Sequence, residues 1–336
     1  MKWLSDRVVE RLKTDLQWPD LSNTRYRALR YLARGGMGTI WLAEDTILNR
    51  QVVLKVLDPA DNSGELASRL LREARVLARL EHPGIVPVHD AGTLDDGRAF
   101  YCMKYVEGQR LDQYLRNIRA LPERLKLLER IAEPLAFAHS KGILHRDLKP
   151  ENVMIGPFGE VLVMDWGVAK VKDAVRPEAG TEVQGYSSSS LSIDLSETAH
   201  GRILGTPGYM SPEQARGETG SIDERTDIYS LGAILAFMLA GGGPEELDRS
   251  GPSQPVPRSL RAICAKAMAP DPATRYASVQ ELSSDVAKYL ESLPVTAYRE
   301  GIFERATRLF ARHRVAIVLV AAYLLMRLLF ILLSRP

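Results

Sequence analysis

The octapeptide His145-Arg146-Asp147-Leu148-Lys149-Pro150-Glu151-Asn152 places a carboxylate, an ammonium and a side-chain amide within six residues. That triplet suits phosphoryl transfer, which needs a group to orient a hydroxyl, a cation to neutralise phosphate charge and a ligand to hold a metal. Asp147 would accept the hydroxyl proton, Lys149 would face the transferring phosphate, and Asn152 would bind Mg²⁺. Other charges sit in apolar company. Lys55 interrupts the strand-like run 51–57, and burying an unpaired ammonium there would be costly. Glu73 lies in a helical stripe of Leu66, Leu70, Leu71, Ala74, Leu77 and Leu80 and is its natural partner. Asp165 ends an apolar strand and is otherwise unexplained.

Regular elements must position these groups. Leu121, Leu125, Leu128, Ile131, Leu135 and Ala138 recur at helical steps, and Gly142 ends that helix. Short apolar tracts follow at 153–155 and 160–164. Residues 31–41 read as a hairpin whose glycine-rich tip would let backbone amides approach phosphate oxygens. Residues 2–17 read as an amphipathic helix on Leu4, Val8, Leu12 and Leu16, stopped by Pro19. It would pack on the neighbouring lobe, or serve as a regulatory or dimerising arm that makes a homodimer.

With 336 residues the chain can bury a substantial core. Its 44 Lys and Arg nearly balance 42 Asp and Glu, so no nucleic-acid partner is indicated. Cys102 and Cys264 lie far apart in apolar surroundings, which suits a reducing compartment and no disulfide or zinc site. Charges recur every few residues over 1–16, unlike a signal peptide.

Over roughly residues 24–293 these motifs resemble the bacterial eukaryotic-type (Hanks-type) Ser/Thr protein kinases. The resemblance implies an α+β, bilobal fold with a β-rich small lobe bearing one helix and a larger helical lobe. Its boundaries would be 1–22 for the extension, 23–108 for the small lobe and 109–293 for the large lobe, with an activation segment at 165–213. ATP would be the cofactor, with Mg²⁺ or alternatively Mn²⁺. Leu32, Ala33, Arg34, Gly35, Gly36, Gly38 and Ile40 would form the glycine loop. Val53, Met103 and Met154 would line the adenine pocket, and the backbone of Lys104 and Val106 would bond the adenine edge. Lys55, oriented by Glu73, would hold phosphates, and Asp165 would join Asn152 on the metal. Thr206 would position a Ser or Thr acceptor of a protein substrate. Glu213 would form a buried pair with Arg275, and Asp227 would brace the catalytic-loop backbone. A phosphate on the Ser/Thr-rich segment 168–204 would pair with Arg146 and raise activity.

Three departures stand out. Ala33 replaces the first glycine of the loop. Trp166 replaces phenylalanine after Asp165. Only seventeen residues (240–256) separate Leu239 from Pro257, where the family usually has a docking helix. They lean towards a pseudokinase scaffold that binds nucleotide without transfer; the intact Lys55, Glu73, Asp147, Asn152 and Asp165 lean more strongly towards an active enzyme. The peptide-positioning loop 205–213 argues against a small-molecule phosphotransferase.

The tail is expected to be a transmembrane helix at 315–334 after a basic linker at 294–314. Thirteen of the nineteen positions 315–333 are Leu, Ile, Val or Phe. Insertion gains roughly 4 to 8 kcal/mol against about 3 lost on Arg327. Arg299, Arg305, Arg308, Arg312 and Arg314 precede it, which implies a single-pass membrane protein with the kinase domain in the cytoplasm. The chain ends just after the span, so no outer sensor domain is expected.

Overall fold

A computed structural model describes residues 18–35, 38–58, 64–166, 170–171, 208–218, 220, 222–240, 256–301, 305 and 314–333. The arm at 2–17, Gly36, Thr206, most of the activation segment and 241–255 lie outside these residues.

The small lobe is a sheet in which side-chain alternation sorts two faces. Strands β1 (Tyr26–Arg34), β2 (Gly38–Asp45), β3 (Arg50–Leu57), β4 (Val88–Thr93) and β5 (Ala99–Lys104) form it in the antiparallel order β1-β2-β3-β5-β4. On β3, Val52, Leu54 and Val56 join an outer cluster with Trp41, Phe100 and Cys102. The period of two turns Val53, Lys55 and Leu57 to the inner face. Helix α1 (Glu65–Leu77) covers that face with Leu70, Ala74 and Leu77 buried. Glu73 shares their helical stripe, so it too points inward.

Gly38 serves the sheet. A Cβ there would lie 2.1 Å from the Val56 carbonyl oxygen, so the β2–β3 pairing itself excludes a side chain. Strand contact is thus a reason for this glycine that stands beside the expected approach of phosphate. The small lobe also begins earlier than expected. Leu21 is buried in the outer cluster, and Trp18 packs edge-on against Trp41 at 4.7 Å.

The large lobe is built on α3 (Leu121–Ser140), preceded by the short α2 (Leu111–Tyr114). Gly142, at φ 70°, ends it as the left-handed residue just past a helix. Helix α4 (Pro212–Ala215) starts on a capping box between Ser211 and Gln214. Helix α5 (Glu224–Ala240) is buried on most of its circumference, and α6 (Arg258–Ala267) crosses it at Gly232. A Cβ on Gly232 would meet Ala267 Cβ at 2.6 Å. Helix α7 (Val279–Leu290) completes the lobe. Its buried Asp285 accepts bonds from Thr296 and Ala297, and Val295 is buried. The lobe therefore extends past 293 into the stretch expected to be linker.

The lobe also carries short strands: β6 (Gln109–Arg110) just before α2, and β7 (Ile143–Leu144), β8 (Val153–Ile155), β9 (Val161–Val163) and β10 (Lys170–Val171) between α3 and α4. β6, β8 and β9 form one sheet, and β10 pairs with β7. Residues Arg314–Leu333 form a single helix, α8. Its side chains are described at 318–320, 322–327 and 330. Counting the described residues alone, no helix is long and apolar enough to cross a membrane.

Candidate active site

Three elements deliver the first cluster. Lys55 Nζ on β3 lies 2.9 Å from both Glu73 carboxylate oxygens on α1 and 3.5 Å from Asp165 Oδ1 after β9. Burial pulls the Lys55 ammonium down, but Glu73 and Asp165 more than reverse this, so its pKa lies above the ordinary lysine value. Desolvation raises the Asp165 carboxyl, and Lys55, His145 and Lys149 outweigh it, leaving it below the usual aspartate value. Asp165 adopts φ 55°, a left-handed conformation rare outside glycine, and its side chain is 53 % exposed. Trp166 behind it is fully buried, packs at a tilt against His145 with ring centroids 4.7 Å apart and donates its indole N–H to the Val163 carbonyl at 3.3 Å. The larger aromatic thus finds both space and a hydrogen-bond acceptor.

The second cluster is the loop after β7. Lys149 Nζ donates to Asp147 Oδ2 at 2.9 Å. Asn152 Nδ2 donates to the Asp147 carbonyl at 2.7 Å, which leaves its Oδ1 for another partner. The loop is braced from below. Buried Asp227 accepts from the His145 and Arg146 backbone amides, each at 2.8 Å, and meets His139 Nε2 at 2.7 Å. Gln214 Nε2 donates to the Arg146 carbonyl at 2.6 Å. Arg146 itself adopts φ 69°; its Nε is buried and has no hydrogen-bond partner among the described residues. Burial lowers the Arg146 guanidinium pKa, with Asp227 partly opposing it.

Leu32, Ile40 and Met154 pack against the cluster that contains buried Val53, Met103 and Val106. The residues expected around adenine therefore belong to or border the same apolar cluster. Lys104 N–H donates to the Pro87 carbonyl at 3.1 Å. Ala33, Arg34 and Gly35 are exposed; Arg34 reaches outward to Asp58 at 2.7 Å, and Gly35 N–H closes the tip on the Gly38 carbonyl. Away from the cleft, Arg275 donates to both Glu213 oxygens at 2.8 Å.

Asp165 and Asn152 offer oxygen donors, the kind Mg²⁺ prefers. Among the described residues no group of three or more His, Cys, Asp or Glu could hold a metal alone. The donor set thus fits an ion that completes its shell with phosphate and water. An open hollow of about 560 Å³, lined by Trp18, Leu21, Tyr26 and Ala28, lies on the outer face of the small lobe and takes no part in this chemistry.

Sequence reading missed Tyr101, His139, Gln214 and Thr226. Tyr101 donates its hydroxyl to Glu73 Oε1 at 2.7 Å, and Thr226 donates to Glu213 at 3.0 Å. Each sits in an apolar or helical run where its type looks like packing.

A two-lobed molecule with a buried lysine–glutamate pair and a loop that joins an aspartate, a lysine and an asparagine has the architecture of a protein kinase. The protein kinase domain model matches residues 26–295, and the chain belongs to that family. Serine/threonine-protein kinase PknD of Chlamydia muridarum is 38 % identical over 299 residues, covering 80 % of this chain and 32 % of that protein. PknD of Chlamydia felis is 37 % identical over 306 residues, again with 80 % of this chain and 31 % of the relative. The chain therefore spans about a third of the length of these relatives. The crystal structure of the Mycobacterium tuberculosis PknI kinase domain superposes with a TM-score of 0.55 at 28 % identity, covering 79 % of this chain and 96 % of that one. The domain is that of a bacterial Ser/Thr protein kinase with the bilobal fold.

Proposed function

We propose that this chain transfers the γ-phosphoryl group of ATP to serine or threonine hydroxyls of proteins, including its own activation segment, from a membrane anchor. The convergence of Lys55, Glu73 and Asp165 across three elements carries the reading. Bound Mg²⁺–ATP supplies the phosphoryl group and a divalent charge. Lys55, oriented by Glu73, and Lys149 bear phosphate charge. Asp147 orients the acceptor hydroxyl and takes its proton. Asn152 and Asp165 hold the metal. The work is positioning and charge stabilisation, since the protein forms no covalent bond to the phosphoryl group. The names of the PknD relatives support serine and threonine as acceptors.

Labelled-ATP transfer by the full chain and by Asp147→Asn tests this directly. The wild type should incorporate label and the variant should lose most of it. Equal, negligible incorporation by both would establish the scaffold reading instead.

The anchor rests on the apolar sequence of the tail. Among the described residues no helix is long and apolar enough to cross a membrane, so the support is the sequence 315–333, apolar apart from Arg327 and about as long as a span requires. Val318, Leu319, Val320, Tyr323, Leu324, Leu325, Met326 and Phe330 are each more than half exposed. Among the described side chains, adjacent exposed apolar residues are not confined to one face, a pattern suited to lipid. Arg327 lies near enough to the end to snorkel. The full chain should pellet with membranes and a chain ending at 313 should not; a soluble full chain rejects the anchor.

A further inference from the structure

Tyr101 stands directly opposite Lys55 in the β3–β5 pairing, on the same inner face of the sheet. Its ring lies 5.7 Å from Lys55 Nζ, and its hydroxyl donates to Glu73 Oε1 at 2.7 Å. All three residues are buried: Tyr101 is 2 % exposed, Glu73 3 % and Lys55 6 %. Burial and the Glu73 charge hold the phenol pKa well above its usual value, so the hydroxyl remains a donor at working pH.

The two donors to Glu73 differ in their obligations. Lys55 is shared, because Asp165 already lies within 3.5 Å and phosphate oxygens would also draw it. Tyr101 is committed to Glu73. If α1 swings out, Lys55 can turn to Asp165, but the Tyr101 hydroxyl is left buried and unpaired, which is costly. We propose that Tyr101 is a positioning residue for phosphoryl transfer: it tethers Glu73, and so α1, to the sheet, keeping Lys55 in place before nucleotide or segment phosphorylation arrives. This rests on Lys55 and Glu73 being the phosphate-holding pair.

The test uses the full chain in detergent, with γ-labelled ATP and casein as the acceptor. Tyr101→Phe keeps the ring and removes only the tether. It should lower kcat about tenfold, the value of one buried hydrogen bond to a charged group. The KM for ATP should stay within about twofold, since Lys55 is untouched. In a Glu73→Ala background the same change should cost less than about twofold, because its target is gone. An equal loss in both backgrounds, or an unchanged kcat, overturns the proposal; a mere folding defect would give the former.

Amide exchange supplies a second readout that needs no activity. Tyr101→Phe should speed exchange along α1 about tenfold and leave α3 unchanged. If Glu73→Ala is too slow to measure, exchange decides, and an unaltered α1 overturns the tether. A wild type that transfers no label defeats the kinase reading, while the exchange result still judges the tether by itself.

Discussion

The Glu213–Arg275 and Lys55–Glu73 ion pairs are both buried, and they are finished differently. In the large lobe Arg275 donates to both Glu213 oxygens and to the carbonyls of Arg225, Ala269 and Pro270, while Thr226 donates to Glu213. Both side chains are sealed, at 0 % and 1 % exposure. In the cleft Lys55 is bonded to Glu73 but also leans on Asp165, whose carboxylate is half open to solvent. A saturated pair holds elements together. A pair left in contact with an open carboxylate can accept a further charged ligand. The Glu213–Arg275 pair locks α4 to the segment after α6, and the Lys55–Glu73 pair is poised for exchange.

The largest expected effect breaks the sealed pair. Arg275→Met strands Glu213 in the core, and stability should fall by about 3–5 kcal/mol, read from the urea midpoint. Replacing both partners with apolar residues should recover most of that. A single variant with the wild-type midpoint would remove the structural role.

Breaking the open pair should strike activity first. Lys55→Met should cut phosphoryl transfer about 10²–10³-fold, the usual cost of losing one charge-stabilising group. Its midpoint should shift less than that of Arg275→Met, because Glu73 keeps the Tyr101 hydroxyl. The reverse ranking would show that the two pairs do the same job.

Acid sharpens the contrast. Burial raises the Glu213 carboxyl, but bonds from Arg275 and from backbone and Ser211 donors outweigh it and bring the pKa down to about 2. A depressed carboxylate contributes stability that is full above its unfolded value and is lost as pH falls towards the folded value. Unfolding free energy should therefore drop by about 3 kcal/mol between roughly pH 4.5 and 2 on account of this residue. Glu213→Gln should flatten that part of the curve; an unchanged slope would assign it to other carboxylates.

Much of the cleft was legible because its residues break local pattern. Lys55 stands out in an apolar strand, Glu73 in an apolar helical stripe, and Asp165 at a strand end, so sequence alone marks them as needing partners. The loop 145–152 packs its three functional groups so closely that no folding is required to see them together. Tyr101 and Thr226 break no pattern. An aromatic in a buried strand and a threonine in a helix are ordinary, and only the placement of Glu73 and Glu213 reveals hydrogen bonds. The lobe edges were misjudged for a related reason. Trp18, Leu21 and Val295 belong to the domain through contacts distant in sequence, and local composition around them reads as extension or linker.

The order of motifs, the alternation that turns Lys55 inward and the periodicity that turns Glu73 towards it were written in the chain, because side-chain direction follows from strand and helix geometry. Tertiary structure alone decided which groups are saturated and which are left open. Saturation depends on how many donors and acceptors distant elements bring to one point, and no local sequence pattern encodes that number.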